Sequence, residues 1–353
     1  MQTLDQSRIE AFAGQVAVEV GAALNAALVA VGDQLGLYRA MADAQPVSAE
    51  ELAARTNTHE RYVREWLNEQ AASGFVTYDP SERRYTLPPE HAFILADESS
   101  PMAMAGIFQA ATAVIDGRDR VAERFRTGEG VGWHEHHDGL FRGTERSFGA
   151  NYRMHLVSEW LPALTGVVEK LERGARVADV GCGHGASTIL MAQAFPASTF
   201  TGIDVHAESI AVARERAREA GVAGRVRFEV AAATQYAGSG YDLVAFFDAL
   251  HDLGDPVAAA RHAREALADD GSCMLVEPFA GDRIEDNLNP VGRMYYGFSA
   301  LVCTPGSLSQ PGRAALGTQA GEARLREVML EGGFSSVRRA AATPLNLVLE
   351  ART

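Results

Sequence analysis

The chain has 353 residues, 47% of them hydrophobic and 22% charged, with a formal net charge of −14. That length suggests two domains, and the composition supports a large core without staples. The acidic balance argues against broad binding to nucleic acid or anionic membranes, both of which need a basic face. Cys182, Cys273 and Cys303 are far apart and form no CxxC pair, so a thiolate zinc site is not expected and a reducing compartment is. Neither a leader pattern nor an uninterrupted apolar run of the roughly 20 residues that a membrane span requires is evident. The expectation is therefore cytoplasmic.

Ile9 to Met41 is rich in alanine and leucine with few breakers, and reads as helix. Its apolar face calls for a helical partner, from this chain or from a second subunit. Ser48 with Glu51 three residues on is a capping box that starts another helix. Asn57-Thr58 ends it. Glu60 to Ser73 carries Tyr62, Val63, Trp66, Leu67 and Ala71 at helical spacing, and Gly74 closes it. Phe75–Tyr78 and Tyr85–Leu87 around Asp79–Arg84 read as a hairpin. Helix, turn, helix, hairpin is a winged helix, which can bind DNA through its second helix or serve in folding and dimerisation. Between Pro46 and Leu95 the net charge is −3, a poor match to a phosphate backbone, and favours the second role.

Residues 101–165 read as an irregular helical bridge. They include Trp133, His134, His136, His137 and Asp138. Only His134 and Asp138 have helix-borne i, i+4 spacing, so a wall of polar residues is preferred to a metal site, and no metal is expected.

From Ala175 onward strand-like and helical runs alternate: strands at 176–180, 199–203, 226–230, 241–247 and 271–276, helices between them, and a hairpin at 336–341 and 346–350. The alternation implies a parallel sheet covered on both faces, with ligands beyond the carboxyl ends of the strands. There, Asp179-Val-Gly181-Cys182-Gly183-His-Gly185 turns the first strand into a helix. Glycines permit a tight turn and close backbone approach to a ligand. Asp204, ending the second strand, suits a ribose diol. No P-loop lysine follows, and a terminal hairpin is foreign to a dinucleotide-dependent dehydrogenase.

These residues resemble a class I S-adenosylmethionine-dependent methyltransferase. The whole chain is similar to bacterial members with an N-terminal winged helix, and in layout to the caffeate-type O-methyltransferases. The resemblance implies an α/β fold: a Rossmann-like seven-stranded sheet at 166–353, with a lid at about 279–317, behind an all-helical and winged-helix dimerisation domain at 1–100. It implies S-adenosyl-L-methionine as cofactor, with Tyr152, Asp179, Gly181, Cys182, Gly183, Gly185, Asp204, Val205, Ala232, Ala233, Phe247 and Asp248 around it. Many relatives carry an acid where Ala232 and Ala233 stand, so Thr234 or backbone must serve the adenine.

In Phe247-Asp248-Ala-Leu-His251-Asp252, the same resemblance makes His251 the general base, a role suited to a side chain titrating near neutrality. Glu277, ending the fifth strand, would orient it. Tyr295, Tyr296 and Phe298 in the lid suit a flat or apolar acceptor, or a lid core. The expected function is O-methylation of a small molecule by a homodimer. N- or C-methylation, or a regulator that senses the cofactor, are the alternatives.

Overall fold

A computed structural model describes residues 4–353, which divide into two compact units. The first comprises residues up to Ile115 together with Asp138–Ala150. The second comprises Asp116–His137 and Asn151–Thr353. Residues 101–165, read above as one bridge, are shared between them.

In the first unit Asp5 caps the helix Gln6–Gln34 by accepting from the backbone of Ser7 and Arg8. Gly36, at φ 71°, ends the run before the short helix Leu37–Ala40. The long helix buries only Asn25, Val29, Gly32 and Asp33. Gly32 is required by close packing, since a Cβ would lie 2.5 Å from the Trp66 ring. Trp66 Nε1 donates to the Leu28 carbonyl (2.9 Å), and Gln70 Nε2 donates to Asn25 (2.8 Å). The rest of the helix is apolar and open, with Phe12, Val18 and Leu24 65%, 70% and 62% exposed. Charges such as Glu10 and Glu19 interrupt any continuous apolar run. By length and average composition the helix is nonetheless long and apolar enough to cross a membrane.

The winged helix follows. Ser48 and Glu51 form the reciprocal capping box of the helix Ala49–Thr56, and Asn57 leaves it in a left-handed conformation. Helix Glu60–Ala72 packs Val63, Trp66 and Leu67 against Leu37, Tyr38, Met41 and Leu52. Strands β1 (Thr77–Asp79) and β2 (Arg84–Thr86) form the antiparallel wing.

The second unit is built on a seven-stranded sheet. Its strands are β3 (Arg176–Val180), β4 (Thr199–Asp204), β5 (Val226–Val230), β6 (Tyr241–Phe247), β7 (Leu267–Pro278), β8 (Ser336–Ala342) and β9 (Asn346–Arg352), in the order β5-β4-β3-β6-β7-β9-β8. All pairs are parallel except those of β9 with β7 and β8. Leu243 to Phe247 of β6 are all buried, as expected of a central strand covered on both faces. On one face Val244, Phe246 and Leu275 pack with Ala259, Ala260, Ala263, Val328 and Met329. Strand order reverses at β3, between β4 and β6, which opens a ligand crevice at the carboxyl ends.

The lid runs from the end of β7 to the helix Gly321–Glu331. It holds the helix Pro290–Phe298, a π-helical turn Ser299–Cys303 and the short helix Thr304–Leu308. Tyr295 is buried, and its hydroxyl donates to the Leu345 carbonyl (2.8 Å) between β8 and β9. It therefore anchors the lid rather than facing a ligand. Tyr296 and Phe298 remain half-buried.

Candidate active site

The loop after β3 turns through three left-handed glycines, Gly181, Gly183 and Gly185. Two are constrained by neighbours. A Cβ on Gly181 would meet Ala249 at 2.6 Å, and one on Gly185 would meet the Phe228 ring at 2.7 Å. A Cβ on Gly183 would meet nothing, so the face of the loop at Gly183 is open. Asp179, fully buried beneath, accepts at Oδ2 from Ser187 (2.6 Å) and Thr188 (2.5 Å). Its Oδ1 is buried without a partner. Burial pushes its pKa up to about 6, against the two hydroxyl donors. Cys182 is buried beside them.

At the end of β4, Asp204 accepts from the Gly183 N–H (2.9 Å) and the His206 N–H (2.8 Å), so strand end and glycine loop hold each other. Burial raises its pKa, while the two N–H donors oppose the rise. Val205 beside it is 64% exposed, an apolar surface at the rim. The Ala231 N–H donates to the Asp204 carbonyl (3.0 Å), which brings the half-buried Ala232 and Ala233 to the same edge.

Beyond β6, Asp248 adopts φ 50°, a strained conformation for a non-glycine residue. It is held there by its own N–H to the Val276 carbonyl (2.7 Å), by Tyr152 Oη (3.2 Å) and by Asn346 Nδ2 (2.9 Å). Burial and the nearby Glu277 charge push its pKa up to about 8. Tyr152 is itself buried against Phe247 (ring centroids 5.4 Å apart) and Trp160. Burial and the Asp248 charge raise its phenol well above the usual value.

His251 and Glu277, from adjacent strand ends, meet directly. The ring Nδ1 pairs with Glu277 Oε2, while the Leu250 N–H donates to Oε1 (2.8 Å). Both residues are almost fully buried, at 2% and 1% exposure. The opposite ring atom, Nε2, lies 3.2 Å from Asp252 Oδ1. Burial disfavours the charged ring, but the Asp252 and Glu277 carboxylates outweigh it and hold the pKa well above that of an ordinary histidine.

Sequence reasoning missed Asn346 and Asn151. Asn151 Nδ2 donates to Asn346 Oδ1 (2.5 Å), which turns the Asn346 amide toward Asp248. An asparagine opening a strand directly ahead of Leu347, Val348 and Leu349 was the available signal. Cys303 was also passed over, although it adjoins the His251 ring together with Asp252 of the His-Asp pair. The histidine tract folds as a 3₁₀ turn, Trp133–Glu135, followed by His136, whose Nε2 is buried without a partner. Among the described residues the compact grouping of metal-capable side chains falls at His251, Asp252 and Cys303 instead.

Residues 22–97 match the family described as an Rv2258c-like winged HTH domain, and residues 171–311 match the family described as a methyltransferase domain. The chain carries a methyltransferase domain behind a winged helix-turn-helix domain. The ubiquinone biosynthesis O-methyltransferase of Bordetella avium (strain 197N) is 37% identical over 107 residues, 29% of this chain and 41% of that protein. The chain spans less than half the length of the curated relatives it matches. Among solved structures, the mitomycin 7-O-methyltransferase MmcR has the same fold at a TM-score of 0.72 and 20% identity, covering 99% of this chain and 100% of that one. NcsB1, an O-methyltransferase from neocarzinostatin biosynthesis solved with S-adenosyl-L-homocysteine and 1,4-dihydroxy-2-naphthoic acid, follows at a TM-score of 0.61 and 20% identity, covering 93% and 96%. The methyltransferase domain thus includes the glycine loop, Asp204, Ala232 and Ala233, Asp248, His251 and Glu277, whereas Tyr152 and Asn346 lie outside the matched span.

Proposed function

We propose that the protein is an S-adenosylmethionine-dependent methyltransferase that acts on a hydroxyl of a small, flat molecule, with His251 as general base. The observation that carries this reading is the His251–Glu277 pair at the same sheet edge as the glycine loop. The loop suits the cofactor in three respects. Its open face at Gly183 leaves room for a ligand. Asp179 Oδ1 is a buried acceptor with no protein partner. Asp204, with the exposed Val205 beside it, offers a carboxylate and an apolar rim for a nucleoside. Asp204 would hold the ribose, Val205, Ala232 and Ala233 would border the adenine, and Tyr152, Asp179, Gly181, Cys182, Gly183, Gly185, Phe247 and Asp248 would enclose the methionine portion.

When bound, the cofactor supplies a methyl group on a sulfonium that is already a good leaving group. The chain's own task is then alignment and deprotonation. Glu277 fixes the ring by occupying Nδ1, so Nε2 is the atom that takes the acceptor's proton. Its raised pKa makes it a strong base once neutral, with the charged ring then held between Asp252 on the Nε2 side and Glu277 on the Nδ1 side. Asp248, kept in place by Tyr152 and Asn346, sets the floor next to this ring. The dihydroxynaphthoic acid bound to NcsB1 favours an aromatic hydroxyl as acceptor.

A homodimer formed through the open apolar face of Gln6–Gln34, working in the cytoplasm, completes the proposal. The winged-helix match is the one observation that favours a cofactor-sensing regulator instead. Calorimetry with S-adenosylhomocysteine and NAD side by side, followed by transfer of labelled methyl from S-adenosylmethionine to a panel of phenols and catechols, tests the reading. Binding of the homocysteine product alone and label in a phenolic ether support it. NAD binding, or product binding without transfer to any hydroxyl acceptor, counts against it.

A further inference from the structure

The π-helical turn Ser299–Cys303 brings Cys303 beside the His251 ring. Such local widenings of a helix recur at functional sites. A ring nitrogen of His251, a carboxylate oxygen of Asp252 and Cys303 Sγ all lie within 4.8 Å of one another. Asp252 Oδ1, although 3.2 Å from Nε2, is buried and lacks any partner in hydrogen-bond geometry.

We propose that His251, Asp252 and Cys303 form a binding site for a thiophilic divalent cation, and that filling it silences the base. One nitrogen, one carboxylate oxygen and one sulfur form a donor set suited to Zn²⁺ and poorly suited to Mg²⁺ or Ca²⁺. Glu277 already occupies Nδ1, which leaves Nε2, 3.2 Å from Asp252 Oδ1, as the ligating atom; a carboxylate behind a ligating histidine is a common support for a bound metal. Around Zn²⁺, nitrogen and sulfur ligands stand about 3.6 Å apart. The cluster therefore closes by about 1 Å at its widest, within the reach of the side chains. The side chain of Asp252 is 29% exposed and provides the approach from solvent. Water takes the fourth position. Cys303 binds as the thiolate and His251 as the neutral ring; the thiol proton, and the Nε2 proton where the ring is charged, pass to solvent, Nε2 donates its lone pair, and nothing is oxidised or reduced.

The inhibitory half rests on the base assignment, so binding is measured independently of turnover. The full-length protein is titrated with Zn²⁺ against a chromophoric chelator, and with Co²⁺ while absorbance is recorded. One equivalent per chain is expected, with a sulfur-to-cobalt charge-transfer band. Cys303→Ser and Asp252→Asn each weaken Zn²⁺ binding at least tenfold, Cys303→Ser abolishes the band, and both variants retain affinity for S-adenosylhomocysteine, which verifies their fold. Zn²⁺ binding that is equal in wild type and Cys303→Ser, or a Co²⁺ complex without the band, overturns the site. Cys303-dependent binding with turnover undiminished keeps the site and overturns the silencing, and with it the base assignment.

Discussion

The three glycines of the 181–185 loop separate structural from ligand-facing roles. Alanine at Gly185 must adopt φ 79° and place its Cβ 2.7 Å and 2.9 Å from two Phe228 ring atoms. The left-handed conformation costs about 1–2 kcal/mol and overpacking a tight site about 1–3 kcal/mol, so Gly185→Ala loses roughly 2–5 kcal/mol of stability. Alanine at Gly183 also adopts a positive φ, 52°, but its Cβ meets no protein atom. It loses only the conformational part, about 1–2 kcal/mol. If the open face receives the cofactor, its methyl group lies in ligand space, and affinity for S-adenosylhomocysteine falls at least tenfold, about 1.4 kcal/mol. Urea unfolding and calorimetry on the two variants read stability and affinity separately. Unchanged affinity in Gly183→Ala refutes the placement of the cofactor, and a larger stability loss in Gly183→Ala than in Gly185→Ala refutes the packing argument.

Three further outcomes follow from the geometry. His251 acts as a base only when neutral, and its pKa lies above the ordinary value, so kcat/KM should rise with pH through a midpoint above 6.5. Asp252→Asn removes one of the carboxylates that hold the ring charged, and should move that midpoint to lower pH; an unmoved midpoint in a pH–rate profile would show that another group controls the limb. Phe12→Asp and Leu24→Asp, on the open face of Gln6–Gln34, should convert a dimer into monomer in light scattering, whereas wild type at monomer mass would remove the dimer from the proposal. Gel-shift titration with genomic fragments at physiological salt should show no specific complex, given the −3 balance of residues 46–95, and tight specific binding would favour the regulator.

Features carried by local pattern were legible in the sequence. The capping box at Ser48 and Glu51, the break at Asn57 and the strand–helix alternation after Ala175 rest on contacts a few residues apart, and the structure has them. His251 and Glu277 were also within reach, because consecutive parallel strands bring their carboxyl ends together. What stayed hidden depends on long connections. Asn346 meets Asp248 only because β9 inserts antiparallel beside β7. Cys303 reaches His251 through a π-helical turn in the lid, which no residue spacing announces. Of the two readings open for Tyr295, pocket aromatic and lid core, its burial and its hydrogen bond to the Leu345 carbonyl favour the second, and that partner lies 50 residues away.

The central claim is that this site transfers a methyl group with His251 as the base. Single-turnover transfer by His251→Ala, measured beside its affinity for S-adenosylhomocysteine, tests it most directly. The predicted result is a rate lowered by roughly 10²–10⁴, the usual contribution of a positioned base, with product affinity unchanged within about threefold, or about 0.65 kcal/mol. Transfer at the wild-type rate with affinity intact would contradict it.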